Sequence, residues 1–349
     1  MRVLFLNLYP DQAASARYRI CQFLPYLRAH GVDCTVSAPL SNEDWRRFSG
    51  ATRTHRPFWY HFHETSARFR QLLSTRPYDA VVLQKAITTA SIRGLDSLLF
   101  ALARRVVFDM DDAVHLRPPQ PLSPRFDAIM DASQIQKIMA RAACVLAGNH
   151  WLVGEVQAAG GHAVYFPTVV DTTRFVPPVR EVQHYTLGWM GSPSTAPALR
   201  LLEEASPFPE DVHLKLVGAP PGTLHLAQAT CEAWRHDTEV EAVQQMSVGL
   251  MPLEATPWNQ GKCALKALTY MACARPVIAT PFGAVCDFLH HGENGCFAQS
   301  PEEWRSAIES LRDPDLRRRL GQNARATVET GYALDQAAPR LLALLEDLQ

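Results

Sequence analysis

Short runs of Val, Ile, Leu and other apolar residues recur along the chain, each the length of a strand buried on both faces. Between them, apolar positions return every three or four residues. The first half carries such runs at Val3–Leu8, Cys34–Ser37, Ala80–Leu83, Val106–Phe108 and Cys144–Ala147. A polar loop follows the first run, then a helical pattern over Ser15–His30 that stops at Gly31. This alternation predicts a parallel sheet covered by helices on both faces over roughly residues 1–165. Pro167–His184, with three prolines and mixed charge, reads as a linker. Beyond it the alternation restarts, with strands predicted at Thr186–Met190, Val212–Val217, Val248–Met251 and Pro276–Ala279. Helices are predicted near Ala196–Ala205, Glu239–Gln245, Lys262–Ala274, Pro301–Leu311 and Asp313–Thr330, with a terminal helix over Leu334–Leu348. The simplest architecture is α/β, with two Rossmann-like domains facing a central cleft. They span residues 1–170 and 185–331, and a terminal helix within 332–349 packs back toward the first domain. Ligands in such sheets bind at the carboxyl ends of the strands.

Composition narrows the class. The 349 residues suffice for two domains at about 150 residues each. With 47% hydrophobic and 20% charged residues, the chain has the makeup of a globular protein. A net charge of −1 gives no global field for nucleic acid, so no nucleic-acid partner is expected. No apolar run reaches the roughly 18 residues of a spanning helix. The opening Met-Arg-Val-Leu-Phe-Leu-Asn-Leu-Tyr turns polar too soon for a signal peptide and reads as a strand. Eight cysteines show no C-x-x-C spacing, so reduced thiols and a cytoplasmic location are expected rather than zinc or disulfides.

Nucleotide motifs are mostly excluded. No G-x-G-x-x-G follows the first strand. Gly261-Lys262 fails as a P-loop, because Thr256 stands at the earlier glycine position and Cys263 replaces Ser or Thr. Asp109-Met110-Asp111-Asp112 has the look of a divalent-ion cluster, but one such run is thin support, and no metal is expected.

The most informative stretch runs from Trp258 to Thr280, as loop, helix, tight turn and strand. A helix starting at Lys262 puts Lys262, Lys266 and Thr269 at i, i+4 and i+7, on one face. Two ammonium groups at the positive end of a helix repel unless an anion lies between them. Lys262 and Thr269 would then be about 10 Å apart along the axis, a span suited to a diphosphate and a ribose. The alternative is a solvated amphipathic face with surface lysines.

Here the sequence resembles the donor-binding helix of GT-B glycosyltransferases, in particular the family-4 group of retaining enzymes. The resemblance rests on Thr269-Tyr270-Met271-Ala272-Cys273-Ala274-Arg275-Pro276-Val277-Ile278-Ala279. Ser15-Ala16-Arg17-Tyr18-Arg19, Gly188-Trp189-Met190-Gly191-Ser192-Pro193-Ser194-Thr195, Gly249-Leu250-Met251-Pro252-Leu253 and His291-Gly292-Glu293-Asn294-Gly295 extend it over nearly the whole chain. It implies transfer of a sugar from a nucleotide diphosphate sugar, which acts as co-substrate, with retention and without a cofactor or metal. The acceptor class it leaves open is a glycan, a lipid-linked molecule or a small molecule. It implies that Lys262 and Lys266 supply charge at the leaving diphosphate, that backbone and hydroxyl groups of Gly191, Ser192 and Ser194 cradle phosphate, and that Gly218 lies close to the base.

The departures are specific. The family's ribose-holding acid falls on Thr269, and its other acid falls near Gly261 or Lys262. The loop after the first strand of the second domain lacks the usual arginine. Asp111 stands where many relatives place a histidine; it fits either a donor contact or a helix cap. Arg17 and Arg19 follow the first strand and Lys85 ends another, so each is a candidate for donor phosphate or acceptor. Trp234 and Glu239 are candidates for the border of the base pocket.

Residues 45–76 carry seven arginines against one acid, Glu64, with Phe48, Phe58, Trp59, Tyr60, Phe62 and Phe69 interleaved. That pattern fits contact with anionic lipid head groups at the inner membrane face or with an anionic acceptor, or else a solvated helix pair with a buried aromatic side. Two other functions fit the same architecture: a non-hydrolysing sugar-nucleotide epimerase, and a sugar-nucleotide-binding subunit without catalysis.

Overall fold

The computed structural model describes residues 1–49, 58–116, 129–180 and 182–348. The chain forms two compact units. One comprises Met1–Thr168, Gln260–Cys263 and Asp335–Gln349; the other comprises Val169–Asn259 and Ala264–Leu334.

In the first unit the strands are β1 (Arg2–Leu6), β2 (Asp33–Ser37), β3 (Ala80–Gln84), β4 (Val106–Met110), β5 (Cys144–Ala147) and β6 (Ala163–Tyr165). They pair in parallel in the order β2-β1-β3-β4-β5-β6. In the register of the central strand, Val3 stands opposite Cys34 on one side and Ala80 on the other. The helices are α1 (Ala14–Arg19), α2 (Leu24–Ala29), α3 (Asn42–Ser49), α4 (Phe58–Leu73), α5 (Leu95–Leu102), α6 (Gln134–Arg141) and α7 (His150–Ala158). The strand order reverses at β1, so the carboxyl ends of β1 and β3 flank the natural ligand crevice of this sheet.

The second unit holds β7 (Tyr185–Met190), β8 (Val212–Val217), β9 (Ala229–Glu232), β10 (Val248–Met251), β11 (Val277–Ala279) and β12 (Gly295–Phe297). These too are parallel, in the order β12-β11-β10-β7-β8-β9. Read from β9, this is the 3-2-1-4-5-6 order of dinucleotide-binding domains, with its switch point between β7 and β10. Its helices are α8 (Arg200–Glu204), α9 (Glu239–Gln244), α10 (Pro257–Gln260), α11 (Leu265–Ala272), α12 (Pro301–Ser310) and α13 (Pro314–Gly331). The terminal α14 (Leu334–Glu346) groups with the first unit from Asp335 on. No helix of the described residues is long and apolar enough to cross a membrane.

Each sheet has its own core. Phe5, Leu6, Leu83 and Phe108 are buried in the first, and Trp189, Leu216, Leu250 and Trp304 in the second. Two expected helices are broken by proline. Ser15–His30 divides into α1, a short 3₁₀ turn and α2, because Pro25 lacks the N–H that a continuous helix needs. The expected Ala196–Ala205 helix opens instead as a 3₁₀ segment, Pro193–Leu199, with Pro197 inside it. The strands β6, β9 and β12 were not predicted; they are short, and β9 is largely exposed.

A buried ion pair ties α1 to the first sheet. Arg19 (3% exposed) donates through Nε to Asp109 Oδ1 at 3.0 Å, and Asp109 is 1% exposed. The same guanidinium donates through Nη1 to the Phe166 carbonyl at 2.9 Å. Removing one partner leaves a buried charge without its counter-ion. Asp109→Ala should therefore lower the unfolding free energy by about 3–5 kcal/mol, measured by denaturant titration, with an Arg19→Met/Asp109→Leu pair recovering most of it.

Candidate functional site

In the second unit the site is built from two glycine loops and one helix. Gly191 follows β7, and a Cβ there would lie 2.4 Å from the Trp189 ring and 2.8 Å from Lys266 Nζ. Gly218 follows β8 at φ +83°, and a Cβ there would lie 2.1 Å from the Gly191 carbonyl. Glycine at both positions lets the two loops touch. The loop Gly191–Thr195 is then held by Gly191 N donating to the Val217 carbonyl at 2.9 Å and by Ser192 N donating to Thr195 Oγ1 at 3.3 Å. The exposed Ser192 and Ser194 hydroxyls are 2.9 Å apart.

Lys266, on α11, reaches this loop. Its Nζ lies 3.2 Å from Thr195 Oγ1 and 4.3 Å from the centroid of the Trp189 ring. The buried Tyr270 hydroxyl, one turn further on, accepts from Met190 N at 2.7 Å and fixes the end of β7 against the same helix. Thr269 does not take the place expected of it. It is buried, and its hydroxyl donates to the Lys266 carbonyl at 2.7 Å, so its side chain is directed into its own helix rather than toward a ribose. Beside Gly218 lies Trp234, whose Nε1 donates to Glu239 Oε2 at 3.1 Å, while Arg174 pairs with Glu239 Oε1 at 2.7 Å.

Lys262 departs further from expectation. α11 begins at Leu265, after Ala264 in the left-handed region at φ +51°, so Lys262 and Lys266 do not share a helical face. The segment Gln260–Cys263 belongs to the first unit, and five contacts hold it there. Asn149 Nδ2 donates to the Gln260 carbonyl at 3.1 Å and to the Lys262 carbonyl at 3.2 Å. Gly261 lies so close to Ala113 that a Cβ would fall 2.5 Å from its backbone nitrogen. Cys263 enters the apolar core of that unit, beside Gly148, where a Cβ would be 2.2 Å from the thiol. Lys262 Nζ lies 3.0 Å from Asp112 Oδ1.

That last contact joins Lys262 to a row of alternating charges after β3 and β4. Lys85, in the left-handed region at φ +66°, places Nζ 2.9 Å from Asp112 Oδ2 and 3.5 Å from Asp111 Oδ1. Burial alone would raise the Asp112 carboxyl, but Lys262 and Lys85 outweigh it and hold it well below the usual range. Asp111 moves the other way. Burial, with Asp109 and Asp112 nearby, outweighs Lys85 and Arg19 and pushes it up to about 6.

The structure therefore brings together Asp111, Lys85 and Lys262 in one unit, and Gly191, Ser192, Ser194, Gly218 and Lys266 in the other. Arg19 is not open to a ligand, being committed to Asp109, whereas half-buried Arg17 reaches the Gln12 carbonyl in the loop after β1. The residues 50–57 of the basic aromatic stretch, and the side chains of Phe48 and Phe58, lie outside the described residues. Sequence reasoning missed Asp112 as a partner of two lysines, Asn149, and Tyr270. For Asn149 a signal was present: it follows a strand and caps α7, accepting from Leu152 N at 2.7 Å.

Residues 186–313 match the family model described as glycosyl transferases group 1. No curated protein matches the chain by sequence. Among solved structures, HepE from Anabaena in complex with UDP is similar at a TM-score of 0.73 and 14% identity, over 99% of this chain and 100% of HepE. Sucrose-phosphate synthase from Thermosynechococcus elongatus is similar at a TM-score of 0.76 and 15% identity, over 99% and 98%. A glycosyltransferase from Rickettsia africae gives a TM-score of 0.65 at 12% identity, over 99% and 98%. The fold is GT-B. The family match thus falls on the second of the two Rossmann-like domains of the GT-B chain, the one that carries the glycine loops and Lys266.

The raised Asp111 sets a pH dependence. Its proton stays bound in the folded state where the unfolded chain has lost it, so its contribution to stability is full below the ordinary carboxyl value of about 3.9. That contribution is lost as pH rises through about 6. Asp111→Asn should gain in melting temperature relative to the wild type as pH rises from about 4 to about 7. Parallel melting profiles would remove this assignment.

Proposed function

We propose that the protein is a retaining glycosyltransferase that moves a sugar from a nucleotide diphosphate sugar to an acceptor hydroxyl, and that it works in the cytoplasm. The observation that carries this reading is Lys266 Nζ held at the Gly191–Thr195 loop, at the switch point of a dinucleotide-binding strand order. Backbone N–H groups of that loop and the Ser192 and Ser194 hydroxyls are suited to phosphate oxygens, and Lys266 supplies the charge. Gly218, with Trp234 beside it, keeps space for a base. HepE has been solved with UDP and with UDP-glucose, which makes UDP-sugars the first donors to try.

In this reading the departing diphosphate is stabilised by lysines rather than by a divalent ion. The run Asp109–Asp112 already serves Arg19, Lys85 and Lys262 as counter-charge. Asp111 is assigned as the carboxylate that orients the donor sugar or stabilises positive charge at its anomeric carbon. Lys262 is a secondary source of charge, because Asp112 offsets it. Arg17 and Lys85 are assigned to the acceptor side.

Thermal shift across nucleotide sugars should raise the melting temperature with at least one donor, since a ligand that binds only the folded state stabilises it. Lys266→Ala should abolish most of that shift and lower kcat/KM by about a hundredfold, and Lys262→Ala should lower turnover by about tenfold with the fold intact. The anomeric configuration of the product, read by NMR, tests retention. Wild-type kinetics in Lys266→Ala would overturn the assignment. One observation favours a second reading, a binding subunit without turnover: Thr269 is buried and Gly261 has no room for a side chain, so neither acidic position of the family pattern is filled. Donor binding without transfer to any acceptor would select it.

A further inference from the structure

α4 is amphipathic in an inverted sense. Its inner line, Tyr60, Glu64, Arg68 and Leu72 at intervals of four, is fully buried and partly polar. Glu64 accepts from Thr89 N at 3.0 Å, and Arg68 donates to the Asn7 carbonyl at 2.6 Å and to the Ile87 carbonyl at 2.8 Å. These bonds fix the helix beside the carboxyl ends of β1 and β3. Its outer line, at spacings of three and four, is Trp59, Phe62, Ser66, Phe69 and Leu73. Trp59 is 44% exposed, Phe62 65%, Phe69 46% and Leu73 52%. Four of the eight exposed large apolar residues among those described, and all of the exposed aromatic ones, therefore share one stripe. Single exposed apolar residues are ordinary; a row of them is not.

The charge around the stripe selects its partner. Arg46, Arg47, His63, Arg70 and Arg76 of the same stretch are exposed, and the Arg47 guanidinium lies 6.0 Å from the Trp59 ring centroid. Glu64, the single acid between residues 45 and 76, is buried and bound to Thr89. The next acids, Glu43 and Asp44, sit at the far end of α3, and Asp44 is bound to Ser41. Exposed aromatic side chains interleaved with exposed arginine suit the boundary between lipid headgroups and acyl chains, where the rings bury and the guanidinium groups meet phosphate.

We propose that the outer face of α4 docks the protein on an anionic lipid bilayer, with Trp59, Phe62, Phe69 and Leu73 inserted at the headgroup boundary and Arg46, Arg47 and Arg70 on lipid phosphate. With glycosyl transfer as the reaction, such docking presents the carboxyl ends of β1 and β3 to acceptors anchored in the same bilayer. That corollary rests on the functional reading above; the docking itself does not.

The test is cosedimentation of the full chain with vesicles of phosphatidylcholine, with and without phosphatidylglycerol, in the absence of donor and acceptor. The wild type should bind the anionic vesicles and be released by high salt, as a Lys/Arg-dependent contact is screened. Trp59→Ser/Phe62→Ser should weaken binding by more than about tenfold, the scale expected for losing two partly buried aromatic groups. A circular-dichroism melt should show both variant and wild type folded. A second variant, Arg47→Glu/Arg70→Glu, should lose the preference for anionic over neutral vesicles. Failure of the wild type to bind, or equal binding by the aromatic variant, overturns the proposal. So does sedimentation velocity showing a dimer that the aromatic variant abolishes, which would make the stripe a contact between copies.

Discussion

Asp112 is shared by two ammonium groups, and the arrangement of the first unit's site follows from that sharing. One oxygen meets Lys85 and the other Lys262. A carboxylate this buried is costly unless both oxygens find charge, and two lysines this close repel unless an anion separates them. The cost of each group is offset only by the presence of the others. Lys85 accepts a left-handed backbone to take part, a conformation that a residue other than glycine adopts only when its surroundings hold it there. Asp111, next along the chain, is left with the weaker share of Lys85 at 3.5 Å, and its protonation is displaced as a result.

The second unit solves a different problem. Gly191 and Gly218 bring two of its backbone turns into direct contact. Trp189 and Tyr270 supply rigid walls on either side. Lys266, at the contact of these loops, lies over the Trp189 ring and reaches the Thr195 hydroxyl. Lys262, in the first unit, is instead matched by a carboxylate, that of Asp112.

The legibility of the sequence follows the same physics. Strands β5 and β10 fall where the pattern put them, because a central parallel strand is a short continuous apolar run. Edge strand β9 carries a polar, exposed sequence and leaves no such mark. The start of α11 was misplaced for a tertiary reason. Local pattern favours a helix from Lys262, but Cys263 packs into the core of the other unit, and Asn149 holds the carbonyls on either side of Gly261. No local rule reports a contact 111 residues away in sequence. The lysines and aspartates of the site were visible as candidates; which aspartate meets which lysine was not, because the pairing depends on a segment whose course is set by distant partners.

The division of the chain into units has a further result. The first unit is assembled from three separate stretches, one only four residues long, and that short piece delivers a core side chain, Cys263. A fragment ending at Thr168 would therefore lack part of its own interior as well as its last helix. The two halves are not interchangeable modules: recombination that replaced everything after the proline-rich connection with a foreign sequence would leave a hole in the first unit.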